Sequence, residues 1–387
     1  MKRVKVLSLL LAAAMIVTLV SGCGQKSSGD TIKVGLNYEL TGEVAQYGQA
    51  CADGIEMAIA EINAAGGVNG KQLEAVKLDN KSDNNEAMNV ATRLATKDKV
   101  CVIMGPATSG AFKATVSVSD TYKVPLVSCS STANDVTVKD GKLNEWVFRT
   151  CYSDNFQGSV MGNFATSDLG AKTAVILLDT ASDYSNGLVD AFEESFVEKG
   201  GSIAGREAFT STDNDYSPVL TKIKGMSFDV IYLPAYYENV GPIIKQARAL
   251  GITAPILGAD GYDSEKMLEL AGSKEALSNV FFTNHYSSGD TSEDVVNFVE
   301  KYKESHDGTE PGGFNALGYD MMYFVADAIK RAGSTDTAAI RDALASTTDF
   351  PAVTGQFSID ENHDSVKSTV IIEYKDGEQT FRTKISG

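Results

Sequence analysis

The chain has 387 residues, of which 43% are apolar and 22% are charged, and this balance excludes a disordered chain. The length suggests two domains of ordinary size. The formal charge of −17 argues against a nucleic acid partner, which requires a basic surface, and favours a neutral, zwitterionic or cationic one.

The N-terminus has the pattern of an export signal. A positive segment with Lys2, Arg3 and Lys5 is followed by an almost wholly apolar run over residues 6–20. The run is too short for a comfortable membrane span, and small residues follow it, so residues 1–22 are predicted to be a signal peptide. Removing them would bring the formal charge from −17 to −20.

Cys23 follows Val20-Ser21-Gly22, which resembles a bacterial lipobox. The resemblance implies that its thiol is lipidated, that residues 23–30 are a polar tether, and that the chain is held outside the cytoplasm by lipid only. The alternative is a plain signal peptide with an incidental cysteine.

Beyond the tether, short apolar runs alternate with segments of helical spacing. Such alternation, with strands apolar on both faces, predicts parallel sheets covered by helices. The pattern is too long for one sheet, which favours two lobes with breaks near Ser153 and His285. The predicted strands are 32–37, 71–78, 100–104, 124–127, 174–178, 228–233, 255–257 and 370–374, and the predicted helices include 47–65, 84–96, 294–305, 314–332 and 338–345.

The remaining cysteines and the three histidines do not have the spacing of a metal site. Export would permit a disulfide, but Cys101 and Cys129 lie in apolar runs and are predicted to be buried thiols. The pairing of Cys51, Cys101, Cys129 and Cys151 is left open. We expect no metal and no cofactor.

Motifs of catalysis are absent from the sequence. There is no GxSxG motif and no HExxH motif, and Gly70-Lys71 lacks the rest of a phosphate-binding loop. A lipoprotein hydrolase would need a nucleophile and base, or paired acids. The sequence therefore favours a binding protein over an enzyme.

Four segments occur in the order typical of one family. They are Gly42 to Gly48, Glu61 to Gly70, Gly105 to Gly110, and Gln246 to Gly251. Together they resemble the branched-chain amino-acid binding proteins of ABC importers, over residues 31 to about 375. The resemblance implies a type I periplasmic-binding fold, that is, α/β with two Rossmann-like lobes joined by a three-stranded hinge. It implies an N-terminal lobe of 31–153 and 285–367 and a C-terminal lobe of 154–284 and 368–387.

The resemblance also implies contacts to the ligand's α-amino and α-carboxyl groups. Ser109 precedes a helix and is a natural N-cap, where N–H groups favour a carboxylate. Ser130 and Thr132 follow a strand at the carboxyl edge of the sheet, where such folds bind ligands. Asp260 stands where the family has an acid, usually glutamate, for the ammonium. Taken singly, each of these residues can equally be an ordinary turn residue.

Four aromatic residues match family positions around the ligand side chain, and they are Tyr47, Tyr184, Tyr236 and Phe314. Ala107 and Thr108 replace larger or less polar residues, which predicts a larger or more polar pocket. A disulfide of some relatives is missing, since Ser82 and Thr108 stand at its positions.

The resulting interpretation is a lipid-anchored, monomeric solute-binding protein that closes around an amino acid, branched-chain or otherwise apolar, and delivers it to an ABC permease and ATPase. The alternative is a receptor of the same fold that senses amino acids or amides. Both use the same closure, so the sequence does not separate them.

Overall fold

The computed structural model describes residues 31–387. The predicted signal peptide, Cys23 and the tether 23–30 lie outside the described residues. Within residues 31–387, no helix combines the length and apolar character needed to cross a membrane.

The first lobe is built on a parallel sheet of five strands, most of whose residues are buried. Its strands in spatial order are β2 (Leu73–Asp79), β1 (Ile32–Tyr38), β3 (Ile103–Met104), β4 (Leu126–Ser128) and β7 (Val147–Arg149). Two short hairpins accompany them, β5 (Val138–Lys139) with β6 (Lys142–Leu143) and β13 (Ser358–Ile359) with β14 (Ser365–Val366). The helices of this lobe are α1 (Ala45–Ala64), α2 (Asn84–Arg93), α3 (Ser109–Tyr122), α9 (Glu293–Ser305), α10 (Gly313–Ala332) and α11 (Thr337–Ala345).

The second lobe is built on a sheet of seven strands. In spatial order they are β16 (Glu378–Ile385), β15 (Thr369–Lys375), β12 (Val280–Asn284), β11 (Ile256–Gly258), β10 (Val230–Tyr232), β8 (Thr173–Asp179) and β9 (Ser202–Phe209). β15 pairs antiparallel with both of its neighbours, β12 and β16, and the other pairings of this sheet are parallel. The helices of this lobe are α4 (Asp154–Ser167), α5 (Asp183–Glu198), α6 (Ser217–Lys224), α7 (Tyr237–Ala249) and α8 (Met267–Ala271).

The chain passes between the two sheets three times. It leaves the first sheet after β7, returns after β12, and crosses again between β14 and β15. The predicted fold class, two α/β lobes with mainly parallel sheets, is confirmed. Parallel strands require crossover helices, and these helices cover the apolar faces of both sheets.

Helix α10, although late in the sequence, packs against α1 because two glycines permit close contact. A Cβ added at Gly54 would lie 2.0 Å from the carbonyl oxygen of Asn315, and one at Gly318 would lie 2.1 Å from that of Cys51. This packing holds Tyr47 of α1 and Phe314 of α10 side by side, with ring centroids 4.5 Å apart.

The predicted elements differ from the structure in two ways. The strand predicted over residues 100–104 is shorter in the structure, where β3 covers only Ile103–Met104. Cys101 N–H nevertheless donates to the Lys33 carbonyl, and the Val102 carbonyl accepts from Gly35 N–H, so hydrogen bonding with β1 begins at Cys101, before β3. The elements of five or more residues that were not predicted are β9, β12, β16, α4, α6 and α8. Alternate residues of β9 are exposed, as expected of a strand at a sheet edge that lacks an apolar run.

Candidate functional site

A narrow cavity lies between the two lobes, at the carboxyl ends of strands from both sheets. This is the edge at which open α/β sheets bind ligands. Its lining comes from both lobes: Tyr47, Ala107, Thr108, Ser109, Ser130, Tyr184, Tyr236, Asp260, Gly261 and Phe314.

Seven of the eight residues expected to contact a ligand line this cavity. Thr132 is the exception: it is fully buried and is not one of the lining residues. The structure thus brings together residues that lie up to 267 positions apart in the sequence, from Tyr47 to Phe314.

The two serines of the first lobe are fixed by backbone partners. Ser109 is the first residue of α3, and Thr108 is the N-cap, so the expected N-cap position was wrong by one residue. The Ser109 hydroxyl instead accepts from Ala133 N–H at 3.2 Å, and the Ser130 hydroxyl donates to the Ala107 carbonyl at 2.9 Å. These bonds leave the Ser109 hydroxyl proton free to donate to a ligand.

Thr132 contributes a buried hydroxyl without a partner among the described residues. Its carbonyl accepts from Asp154 N–H at 2.8 Å and from the Arg149 guanidinium at 2.9 Å. The backbone is therefore fixed at the first crossing between the lobes, and the hydroxyl remains available.

Asp260 provides a buried carboxylate at the second lobe's side of the cavity. Its Oδ1 accepts from the Tyr184 hydroxyl at 2.7 Å and from Gln157 Nε2 at 3.1 Å, and its Oδ2 lies 3.1 Å from His285 Nε2. A carboxylate offers about four acceptor positions, so one remains for a further donor.

His285 and Gln157 belong to this site although neither was predicted. His285 is stacked on Tyr152 with ring centroids 3.8 Å apart, and burial lowers its pKa, while Asp260 acts in the opposite direction. Gln157 is held by Thr283, whose hydroxyl donates to its Oε1 at 2.9 Å. The sequence feature that could have identified them is their position at or near the predicted boundaries between the lobes, at Ser153 and His285.

Asp154 lies behind Asp260 and shares Gln157 with it, since Gln157 Nε2 also donates to Asp154 Oδ1 at 3.0 Å. Burial, together with the charge of Asp260, raises the pKa of Asp154 to about 8. The nearby Thr132 hydroxyl lowers the pKa of Asp154 and so offsets part of this rise, although the hydroxyl and the Asp154 carboxyl group do not meet the geometry of a hydrogen bond. The raised pKa favours the protonated form of Asp154, and Asp260 is the acid that lines the cavity.

Glu39 is a third buried acid that the sequence analysis missed. It follows β1 directly and accepts from Ala107 N–H at 3.0 Å, Thr108 N–H at 3.1 Å and the Thr108 hydroxyl at 2.8 Å. Burial raises its pKa, and these hydrogen bonds partly offset the rise. Glu39 thereby positions the loop before Ser109 and turns the Thr108 hydroxyl toward itself. It stands at the same sheet edge as Ser130, which is the signal that could have identified it.

Aromatic rings form the apolar wall. Tyr184 and Tyr236 are stacked with centroids 4.8 Å apart, and Tyr47 meets Tyr236 edge-on at 5.6 Å. Together with Phe314 they give this side of the cavity an apolar lining.

Hydrogen bonds and ion pairs join the two lobes around the cavity. The Tyr47 hydroxyl donates to the Gly261 carbonyl and accepts from Tyr237 N–H at 3.2 Å. Lys113 of α3 pairs with Asp183 of α5 at 2.9 Å. The structure is therefore that of closed lobes.

Comparison with known proteins agrees with the fold and the cavity. The family model described as periplasmic binding protein matches residues 31–379, and the chain belongs to this family. It is accordingly an extracytoplasmic binding protein and not an enzyme. Within residues 31–387, no group of three or more His, Cys, Asp or Glu side chains is arranged to hold a metal ion.

Similar proteins of known structure cover nearly the whole of the described chain. A branched-chain amino acid transporter substrate-binding protein, LivJ of Streptococcus pneumoniae in complex with isoleucine, is 40% identical, with 92% of this chain and 98% of that one covered and a TM-score of 0.85. The leucine-binding protein LivK of Thermotoga maritima is 37% identical, with 92% and 99% covered and a TM-score of 0.86.

A curated relative matches at similar length. The leucine-, isoleucine-, valine-, threonine-, and alanine-binding protein of Pseudomonas aeruginosa is 29% identical over 377 residues, which are 97% of each chain.

Proposed function

We propose that this protein is the solute-binding component of an ABC importer and that it captures an amino acid, branched-chain or otherwise apolar, between its lobes. The observation that carries the proposal is the composition of the interlobe cavity. Its lining combines hydroxyl groups, a helix N-terminus and the Asp260 carboxylate with aromatic rings. A zwitterionic head with an apolar side chain matches this combination. The relatives named above bind such amino acids.

The first lobe supplies the groups for the carboxylate. Ser109 opens α3, where unpaired N–H groups and the helix dipole favour an anion, and its hydroxyl proton is free. Thr132 adds a hydroxyl and an N–H. Both residues are anchored through their neighbours, which keeps these donors in fixed positions.

Asp260 and the carbonyl of Ser130 receive the ammonium. A buried ammonium requires a compensating charge, because an unpaired charge in the interior is costly. Asp260 is 2% exposed and its two oxygens are oriented by Tyr184, Gln157 and His285. Tyr47, Tyr184, Tyr236 and Phe314 surround the side chain and exclude water.

Closure of the lobes couples capture to recognition. A ligand that touches Ser109 in one lobe and Asp260 in the other binds the closed state better and shifts the population toward it. The bonds of Tyr47 to Gly261 and Tyr237 add to the closed state. The importer's permease and ATPase would then receive the closed, loaded form.

The proposal includes the predicted location and organisation of the chain. It is a monomer anchored to the membrane by lipid on Cys23, and its lobes are 31–153 with 285–367 and 154–284 with 368–387. The three crossings between the sheets act as the hinge.

A thermal-shift screen tests the proposed ligand class. The purified protein, stripped of co-purified ligand, is screened against the twenty amino acids, a few amides and a few sugars. A ligand that binds only the folded state stabilises it by mass action and so raises the melting temperature. At a free ligand concentration of 100 times Kd the stabilisation is about 2.7 kcal/mol. We expect shifts with leucine, isoleucine or valine. Shifts with amides or sugars alone would refute the assignment of Asp260 to an ammonium.

Thr132→Val tests the buried hydroxyl. Because this hydroxyl has no hydrogen-bond partner in the described residues, the isosteric change leaves stability unchanged or raises it. Loss of a bond to the ligand is expected to weaken binding by about 1–3 kcal/mol, measured by calorimetry with the amino acid found above. Thr115→Val is the matched control, since that hydroxyl donates to Phe112 C=O within α3. Unchanged affinity in Thr132→Val would exclude Thr132 as a ligand contact.

A further inference from the structure

Two cysteine thiols are in contact directly beneath the ligand cavity. The sulfurs of Cys51 and Cys129 lie 3.5 Å apart, and both side chains are fully buried. Cys51 is on α1, one turn after Tyr47, and Cys129 is the residue before Ser130. The pair therefore connects two elements that both supply residues to the cavity lining.

The two thiols are in unlike surroundings. Burial raises the pKa of Cys51. Burial acts on Cys129 in the same direction, but hydrogen bonding with Cys51, Tyr38 and Ser130 outweighs it and lowers its pKa. The Tyr38 hydroxyl lies 3.7 Å from the Cys129 sulfur. Cys129 is thus the better nucleophile and Cys51 its neighbouring thiol.

The other two described cysteines are placed differently. Cys151 donates to the Ser131 carbonyl at 3.5 Å, and burial raises the pKa of Cys101 to about 12. All four are free thiols in the structure, as expected for Cys101 and Cys129 from the sequence.

We propose that Cys51 and Cys129 form an oxidisable dithiol, and that its disulfide weakens ligand capture in the cleft above it. A disulfide requires an S–S distance of about 2.05 Å, so the sulfurs must approach by about 1.5 Å. Movement of Cys129 would displace the adjacent Ser130, and movement of Cys51 would displace the turn of α1 that contains Tyr47. The link to ligand capture rests on the proposed function, whereas formation of the disulfide does not.

The proposed oxidant is hydrogen peroxide, a small uncharged molecule. The Cys129 thiolate attacks one oxygen of hydrogen peroxide, and after proton transfer this gives a sulfenic acid and one water. The Cys51 thiol then attacks the Cys129 sulfur, and the sulfenic oxygen leaves as a second water while the disulfide forms. In sum two thiols are oxidised and one peroxide is reduced to two waters. A dithiol reductant reverses the change.

Peptide mapping tests the cross-link without reference to any ligand. The purified protein is treated with hydrogen peroxide, its free thiols are alkylated, and the digest is analysed by mass spectrometry. The expected result is a peptide pair joined through Cys51 and Cys129 that disappears on treatment with dithiothreitol. Oxidation of Cys129 to sulfinic acid without the cross-link, a bond from Cys129 to Cys151, or no oxidation of the pair would each overturn the proposal.

Ligand affinity before and after peroxide tests the consequence. For the native protein we expect the Kd of the amino acid identified by thermal shift to rise at least five-fold on oxidation and to return on reduction. Cys129→Ala lacks the thiol that attacks peroxide and is expected to keep its Kd on peroxide treatment. Cys101→Ala, the same change at a buried cysteine outside the pair, is expected to respond like the native protein. A cross-link with unchanged Kd would overturn the effect on capture. Failure to find any amino acid ligand would refute the proposed function and leave the mapping result to decide the cross-link.

Discussion

Asp260→Asn is expected to weaken amino acid binding by more than about 2 kcal/mol, or about 30-fold in Kd. The change removes the only charge assigned to the ligand's ammonium and keeps the side chain's shape. The amide oxygen can still accept from Tyr184 and Gln157, and the amide nitrogen can face His285 Nε2 if that nitrogen is unprotonated. Calorimetry of the purified variant with the amino acid found by thermal shift measures the effect.

A matched control separates the local charge from the overall charge of the lobe. Glu269→Gln, at an exposed acid on nearby α8, removes one negative charge away from the cavity and is expected to leave Kd unchanged. Equal affinity of Asp260→Asn and the native protein would refute the assignment of the ammonium to Asp260. A large loss of thermal stability in Asp260→Asn would instead indicate a structural role for the carboxylate.

Arg149→Met is expected to destabilise the protein by about 3 kcal/mol. The Arg149 side chain is buried, and it pairs with both oxygens of Asp364 at 2.6 and 2.8 Å. It also donates to the carbonyls of Thr132 and Ala133 at 2.9 Å. Removal deprives the Asp364 carboxylate and the two carbonyls of the guanidinium's hydrogen bonds, although the Thr132 carbonyl keeps another donor, Asp154 N–H. The expected loss is at the lower end of the range for broken buried pairs because Asp364 is 25% exposed and can be hydrated.

Urea unfolding measures this change as a lower midpoint with an unchanged slope. Arg93→Met serves as the control, because Arg93 pairs with Asp98 at 3.2 Å on the surface with 51% of its side chain exposed. Surface pairs of this kind contribute at most about 1 kcal/mol. A loss no larger than that of the control would show that the first crossing between the lobes does not depend on Arg149.

The positions of Ser130, Tyr236 and Asp260 could be predicted because each follows an apolar run that reads as a strand. In parallel sheets the carboxyl ends of strands meet at one edge, so residues after different strands are brought together. Glu39 follows β1 by the same rule, but an isolated glutamate after a strand does not differ in sequence from a surface acid. Its burial and its three donors from Ala107 and Thr108 depend on packing.

His285 and Gln157 could not be predicted from the sequence for a different reason. Neither belongs to a motif, and each acts by orienting Asp260 from a separate element, α4 or the end of β12. Such contacts depend on the relative placement of two segments 128 residues apart, which no local pattern specifies. The contact between Cys51 and Cys129 has the same origin, since it results from the packing of α1 against the first sheet.

The sequence by itself determined the α/β class, the two sheets, and most of the residues at their carboxyl edges, because hydrophobic periodicity and turn residues act over short distances along the chain. Tertiary structure alone decided which of those residues share one cavity, that Thr132 is not among them, and that Asp154 and Glu39 are buried acids with raised pKa. These properties depend on desolvation and on partners supplied by distant segments, and both arise only when the lobes fold and close.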